Sequence, residues 1–178
     1  DGGTRTLDGE TVLIFGADGM ANFHEFDDER AFFLHELFHV YHQGRFGDCG
    51  EIWCDAWREG LAVYASEQLV PDASPVELLI DYPIGTLARV DRDILSALEH
   101  LRKVGELSDQ GVYSALFQTS LDETALPPRR GYYLGYLIIK EAGLEMTVSQ
   151  LASLSAEEAR PIYQRSINRM ITKHTPSD

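Results

Sequence analysis

From Asp28 to His42 the chain runs without a glycine or a proline, and Asp27 or Asp28 is placed to cap its start. This stretch predicts a helix. Phe32, Phe33, Leu34, Leu37, Phe38, Val40 and Tyr41 occupy most sides of its wheel, and a helix apolar on most sides is buried at the centre of a fold. Such a helix needs a domain around it. The chain has 178 residues, 44% of them hydrophobic and 10% aromatic, enough for one packed core. Disorder would require fewer apolar residues, and a collagen-like or low-complexity chain far more than 15 Gly and 7 Pro.

Thr11-Val12-Leu13-Ile14-Phe15 is β-prone and is closed by Gly16-Ala17-Asp18-Gly19, so it reads as a strand followed by a turn. A second helix is expected from near Asp55 to Leu69, stopping before Pro71. Ser74-Pro75-Val76-Glu77 has the form of a capping box with proline at the first helical position, and predicts a third. Ile94, Leu95, Leu98 and Leu101 lie at helical spacing between Asp91 and Lys103, and Gly131 to Ala142 reads as another helix. Ser155-Ala156-Glu157-Glu158 offers a last capping box, with Pro161 disturbing the turn that follows. The expected fold class is α+β, helix-dominated, with a short N-terminal strand or small sheet.

Lys and Arg number 15 and Asp and Glu 29, a formal net charge of −14. An acidic chain without a basic patch is not built for nucleic acid or for an anionic membrane surface. No apolar run reaches the roughly 18 residues of a membrane span. Cys49 and Cys54 are too few for a disulfide framework; a local disulfide and two free thiols are both open. The chain opens Asp1-Gly2-Gly3 without a methionine, so it reads as a processed or trimmed product. We read 1–178 as one domain, either whole or the C-terminal part of a longer precursor. Localisation is not legible, with an extracytoplasmic site favoured over a cytoplasmic one.

The stretch that carries chemistry is His35-Glu36-Leu37-Phe38-His39. On a helix, positions i and i+4 lie about 40° apart, so both histidines point the same way and can chelate one metal ion. Glu36 sits about 100° round from His35, beside the ion but not on it, where a general base belongs. A catalytic zinc keeps three protein ligands and an open position. The metzincin arrangement requires a glycine and a third histidine where this chain has His42 and Arg45, and the peptide-deformylase arrangement requires an upstream cysteine. Neither fits. Glu59, about 20 positions beyond His39, does: the chain can leave the first helix, turn through Gly44 to Gly50 and return with a second helix presenting Glu59.

Here the sequence resembles the gluzincin metallopeptidases, the clan of thermolysin and the aminopeptidase N type enzymes. Their signature is HExxH followed about 18 to 20 residues later by a glutamate in an ExxA-like helix. Trp53-x-Asp55-x-Trp57 with Glu59-Gly60-x-Ala62-x-Tyr64 is similar to the aminopeptidase segment, one residue shorter before the glutamate. The order HELxH, EGxA, GYYxGY also resembles a largely uncharacterised bacterial family of predicted zinc-dependent proteases, over roughly Thr11–Gly143. The resemblance implies a zincin-like domain with His35, His39 and Glu59 on Zn2+ and Glu36 as the base. It also implies a tyrosine three residues before a glycine as the oxyanion donor. Tyr132 holds that position relative to Gly135, with Tyr133 and Tyr136 as competitors. Such tyrosines are equally at home as packed aromatics with a satisfied tip.

Gly19-Met20-Ala21-Asn22 stands where the aminopeptidases carry a motif whose glutamate holds the substrate amine, with alanine in the glutamate's place. Loss of that anchor favours an endopeptidase or a differently anchored exopeptidase. The Val12–Phe15 strand and the loop after it are placed to pair with an extended peptide. Asp55 is a candidate to hold a zinc histidine from behind or to cap its helix. His42 is a neighbour rather than a ligand, and Arg129 and Arg130 are candidates for a substrate carboxylate. The acidic surface favours basic peptides. The expected function is zinc-dependent hydrolysis of a peptide or protein substrate. The alternatives are a zinc-binding interaction module or pseudo-peptidase without turnover, and a non-peptide hydrolase on the same scaffold.

Overall fold

A computed structural model describes residues 2–8, 10–17 and 29–176. The expected N-terminal strand is β2 (Glu10–Phe15), and it has a partner, β1 (Gly2–Leu7). The two pair antiparallel from Gly2↔Phe15 to Leu7↔Glu10, with Asp8 at φ 51 in the turn between them. Helices follow: α1 (Arg30–Phe46), α2 (Ile52–Leu69), α3 (Thr86–Arg92), α4 (Ile94–Val104) and α5 (Gln110–Phe117). Then come α6 (Arg130–Ala142), α7 (Val148–Ala152) and α8 (Ala156–His174). Helices dominate, as the sequence predicts, and the strands form one hairpin.

Three expectations are corrected. Ser74 and Glu77 do make the capping-box exchange, Ser74 N–H to Glu77 Oε2 at 2.6 Å and Glu77 N–H to Ser74 Oγ at 3.2 Å. No helix grows from it, because Leu79 turns to φ 63 and both Ile80 and Asp81 donate back to Pro75 O. The Asp91–Lys103 helix is two helices broken at Asp93, whose φ −119 and ψ 30 leave the helical region. α1 is not buried all round: Ala31, Phe32, His35, Glu36, His42 and Phe46 face inward, while Phe33, Leu37, Val40 and Tyr41 are exposed. Its expected caps Asp27 and Asp28 lie outside the described residues, as does the Gly19–Asn22 segment.

At the last capping box expectation and structure agree. Ser155 Oγ accepts from Glu158 N–H, Glu158 answers on Ser155 N–H, and α8 runs on through Pro161 for 19 residues. Two short helices carry N-caps the sequence reading passed over: Asp109 accepts from Val112 N–H at 2.9 Å, and Thr147 exchanges with Gln150.

The core is organised by a crossing of α2 and α6. A Cβ on Gly60 would stand 2.2 Å from the Gly135 carbonyl carbon, and one on Gly135 would stand 2.2 Å from Ala56 O. Only glycine at both positions lets the two backbones meet. Trp57, Leu61, Leu134, Ile138 and Ile139 are fully buried around that contact, with α8 and α4 closing the layer behind it. Glu59 is therefore fixed one residue from the crossing and Tyr132 three residues from it.

Candidate metal centre

α1 and α2 are joined by a short turn that Arg58 fastens from the α2 side. Its guanidinium donates to Gly47 O at 3.0 Å and Cys49 O at 3.1 Å and lies 4.9 Å above the Phe46 ring. Cys49 and Cys54 are joined in a disulfide, Cα to Cα 6.0 Å, which ties the turn to the start of α2. α2 thus returns alongside α1 with Glu59 opposite the two histidines.

The ligand atoms converge. His35 Nε2 is 2.9 Å from His39 Nε2 and 3.1 Å from Glu59 Oε2, and His39 Nε2 is 3.3 Å from the same oxygen. Donors bonded at about 2.0–2.1 Å to a tetrahedral zinc stand about 3.3 Å from one another, so the three separations fit one ion. Hydrogen bonds alone do not account for them. Each Nε2 offers one in-plane direction, occupied by a proton or a lone pair, and here each faces two partners. Two contacts of the triangle can be satisfied by protons and the third is then repulsive; a cation among the three satisfies all of them.

Electrostatics tell the same story. Burial pushes the Glu59 carboxyl up, but the charge of His39 and the hydrogen bonds of both histidines outweigh it and hold Glu59 well below the usual carboxylate range. Burial works against a charged His39, yet Glu59 and then Glu36 raise it. His42 is packed between Phe38 and Phe46 at 5.5 and 5.2 Å; burial, then His39 and the neighbouring arginines, lower it to about 4, so it is neutral and stands outside the triangle.

The triangle forms the wall of an open cavity of about 700 Å³. Glu36 lines it without joining the converging atoms. So does Tyr132, whose ring centroid is 6.2 Å from that of His35 and whose hydroxyl makes no hydrogen bond to a described residue. Burial and the Glu59 charge raise the Tyr132 phenol, which keeps its proton. Tyr133 and Tyr136 point elsewhere: Tyr133 donates to Asp91 at 2.7 Å, Tyr136 to Glu67 at 2.6 Å. Leu79, also on the cavity wall, holds a left-handed backbone, a conformation that costs a residue with a Cβ about 1–2 kcal/mol.

Asp55 is raised to about 6 by burial, against Arg58 and with help from Glu59. It pairs with Arg58 at 3.6 Å and bonds neither histidine; Glu51, not Asp55, is the N-cap of α2. Arg130 is wholly buried, donating to Pro127 O at 3.0 Å and to Asp122 at 2.5 Å, so it serves the fold and is not free for a substrate. Arg129 lies 4.6 Å over the Tyr132 ring and backs that side chain.

Two features escaped the sequence reading. Tyr113 of α5 lines the same cavity, and its phenol is raised by burial and by the charges of Glu59 and Asp55. The one available signal was Asp109, a good N-cap ahead of Val112, Leu116 and Phe117. The strand that reaches the cavity is β1, at Gly3, rather than the Val12–Phe15 strand. No protein-family model, curated protein or solved structure matches the chain.

Proposed function

We propose that this protein is a zinc-dependent metallopeptidase of the gluzincin type on a zincin-like fold. His35, His39 and Glu59 hold Zn2+, Glu36 is the general base and Tyr132 the oxyanion donor. The observation that carries the reading is the triangle of two imidazole nitrogens and one carboxylate oxygen, 2.9 to 3.3 Å apart, open to a cavity. Two nitrogens and one oxygen are the donor set of a catalytic zinc, and an interaction module would be closed by a fourth protein ligand. Among the described residues three donors converge on the cavity side.

Bound there, zinc supplies Lewis-acid polarisation of a carbonyl and lowers the pKa of water towards 7. The chain's own groups do the rest. Glu36 accepts the proton of the attacking water and returns it to the departing amine. Tyr132, protonated at every physiological pH, donates to the carbonyl oxygen as negative charge develops on it. Among the described residues β1 pairs with β2 along one edge, and Gly3 puts it beside the cavity, where an extended peptide can add to it.

Zinc content and peptide cleavage of the wild type against Glu36→Gln test the reading. Both proteins should hold one zinc, and cleavage should fall about 10²–10⁴-fold in the variant. A variant that keeps both zinc and full activity overturns it.

A further inference from the structure

Tyr113 has no place in the scheme above, yet its side chain faces the same space. It reaches the cavity from α5 and forms a row of rings with its neighbours. Tyr113 packs on Phe117 at 5.3 Å, Phe117 meets Tyr132 edge-on at 5.9 Å, and Tyr132 faces His35 at 6.2 Å. The row depends on Gly131: a Cβ there would stand 2.4 Å from the Phe117 ring and 2.8 Å from Leu116 O. That close approach of α5 to α6 is what brings a second phenol alongside the first. Phe117 is buried, at 3% exposure, so the two tyrosine rings are held apart by a fixed spacer.

The two phenols share a further property. The hydroxyls of Tyr133 and Tyr136 are engaged by Asp91 and Glu67, and that of Tyr163 is sealed in the core. Tyr113 and Tyr132 line the cavity with hydroxyls that bond no described residue and are not sealed from solvent. Free donors on the wall of a polar cavity await an acceptor from outside the chain.

We propose that Tyr113 is a second hydrogen-bond donor to the substrate carbonyl oxygen, acting with Tyr132 beside the His35–His39–Glu59 triangle. This rests on the metallopeptidase reading. No covalent bond to Tyr113 forms or breaks: its proton stays on the phenol, kept there by burial and then by the charges of Glu59 and Asp55, and the hydrogen bond strengthens as the carbonyl oxygen gains charge. Two donors from two helices also fix the direction of the carbonyl, and so the direction in which a peptide lies in the cavity.

The test uses the zinc-loaded full chain, Tyr113→Phe, Tyr132→Phe and the double variant. Two ligands are titrated by calorimetry: a phosphinic peptide, whose tetrahedral anionic group imitates the charged carbonyl, and an uncleaved D-amino-acid peptide of the same length. Kinetics and thermal midpoint are measured in parallel. Tyr113→Phe should weaken the phosphinic peptide at least about tenfold and lower kcat about 10²-fold. The uncleaved peptide's affinity, KM and thermal midpoint should stay near wild type. A variant that binds the phosphinic peptide as the wild type does overturns the role of Tyr113 while leaving the peptidase reading intact. A wild type that neither cleaves peptides nor binds the phosphinic peptide overturns both.

Discussion

Two of the polar clusters among the described residues, one around Arg130 and one around His35, are built differently. Around Arg130, donors meet acceptors: Nη1 donates to Pro127 O, and Nη2 to Asp122 and, at 3.2 Å, to His100 Nδ1. Only its Nε lacks a partner among the described residues. Around His35, His39 and Glu59 the groups are as close, but they are mutually unsatisfiable and border a cavity. A cluster whose own hydrogen bonds close it holds a fold together. One that its own protons cannot satisfy is built for something that arrives from outside.

The sealed cluster should dominate stability. Arg130→Met should cost about 3 kcal/mol in a denaturant titration, the low end for breaking a buried ion pair because Asp122 is 20% exposed. Its zinc affinity should not change. If that variant loses zinc instead, the two clusters are coupled and the distinction fails.

The open cluster should respond to the ion. Chelation should lower the unfolding free energy by about 2.7 kcal/mol relative to protein in zinc at a hundred times its Kd. Glu59→Ala should be insensitive to chelator, because the third ligand is gone.

Acid should separate the clusters as well. Burial pushes the Asp122 carboxyl up, but hydrogen bonds from Thr124 and Arg130 and the Arg130 charge outweigh it and hold it low. A depressed folded-state pKa contributes stability above the unfolded value, about 3.9, and loses it as pH falls through the folded one. The Asp122 contribution should therefore be lost only below about pH 4, while His100, lowered by burial and then by the Arg130 charge, withdraws a smaller part from about pH 6.5 downward. Zinc, which needs neutral imidazoles, should leave at higher pH. Metal loss and unfolding followed together should give two transitions; a single one would merge the clusters.

The smallest effect is expected on α6. Tyr136→Phe removes the bond to Glu67 and should cost about 0.5–1.5 kcal/mol of stability with cleavage unchanged. Tyr132→Phe should do the reverse.

What was legible in the sequence is what depends on local spacing. His35 and His39 share a helical face whatever surrounds them, Glu36 follows from them, and Glu59 lies one returning helix away. The helices expected near 55–69 and 131–142 needed only their local composition and, for the first, the stop before Pro71; neither begins with a side-chain cap. Long-range partners were not legible. Periodicity leaves Tyr132, Tyr133 and Tyr136 equivalent until Asp91 and Glu67, 42 and 69 positions away, engage two of them. Arg130 resembled a free cation until Asp122 took it inward. The Ser74 capping box was correctly recognised and still yielded one turn, since Leu79 ends it. Tyr113 sits on a helix of eight residues, too short for a periodic signal.

X-ray absorption at the zinc edge tests the central claim most directly, because reduction of the Cys49–Cys54 disulfide would release a second donor set in Cys49, Glu51 and Cys54. The wild type loaded with one equivalent should show two imidazole nitrogens and light oxygen scatterers, with no sulfur, and the imidazole signal should vanish in a His35→Ala, His39→Ala variant. A sulfur shell, or zinc that stays imidazole-bound in that variant, would contradict it.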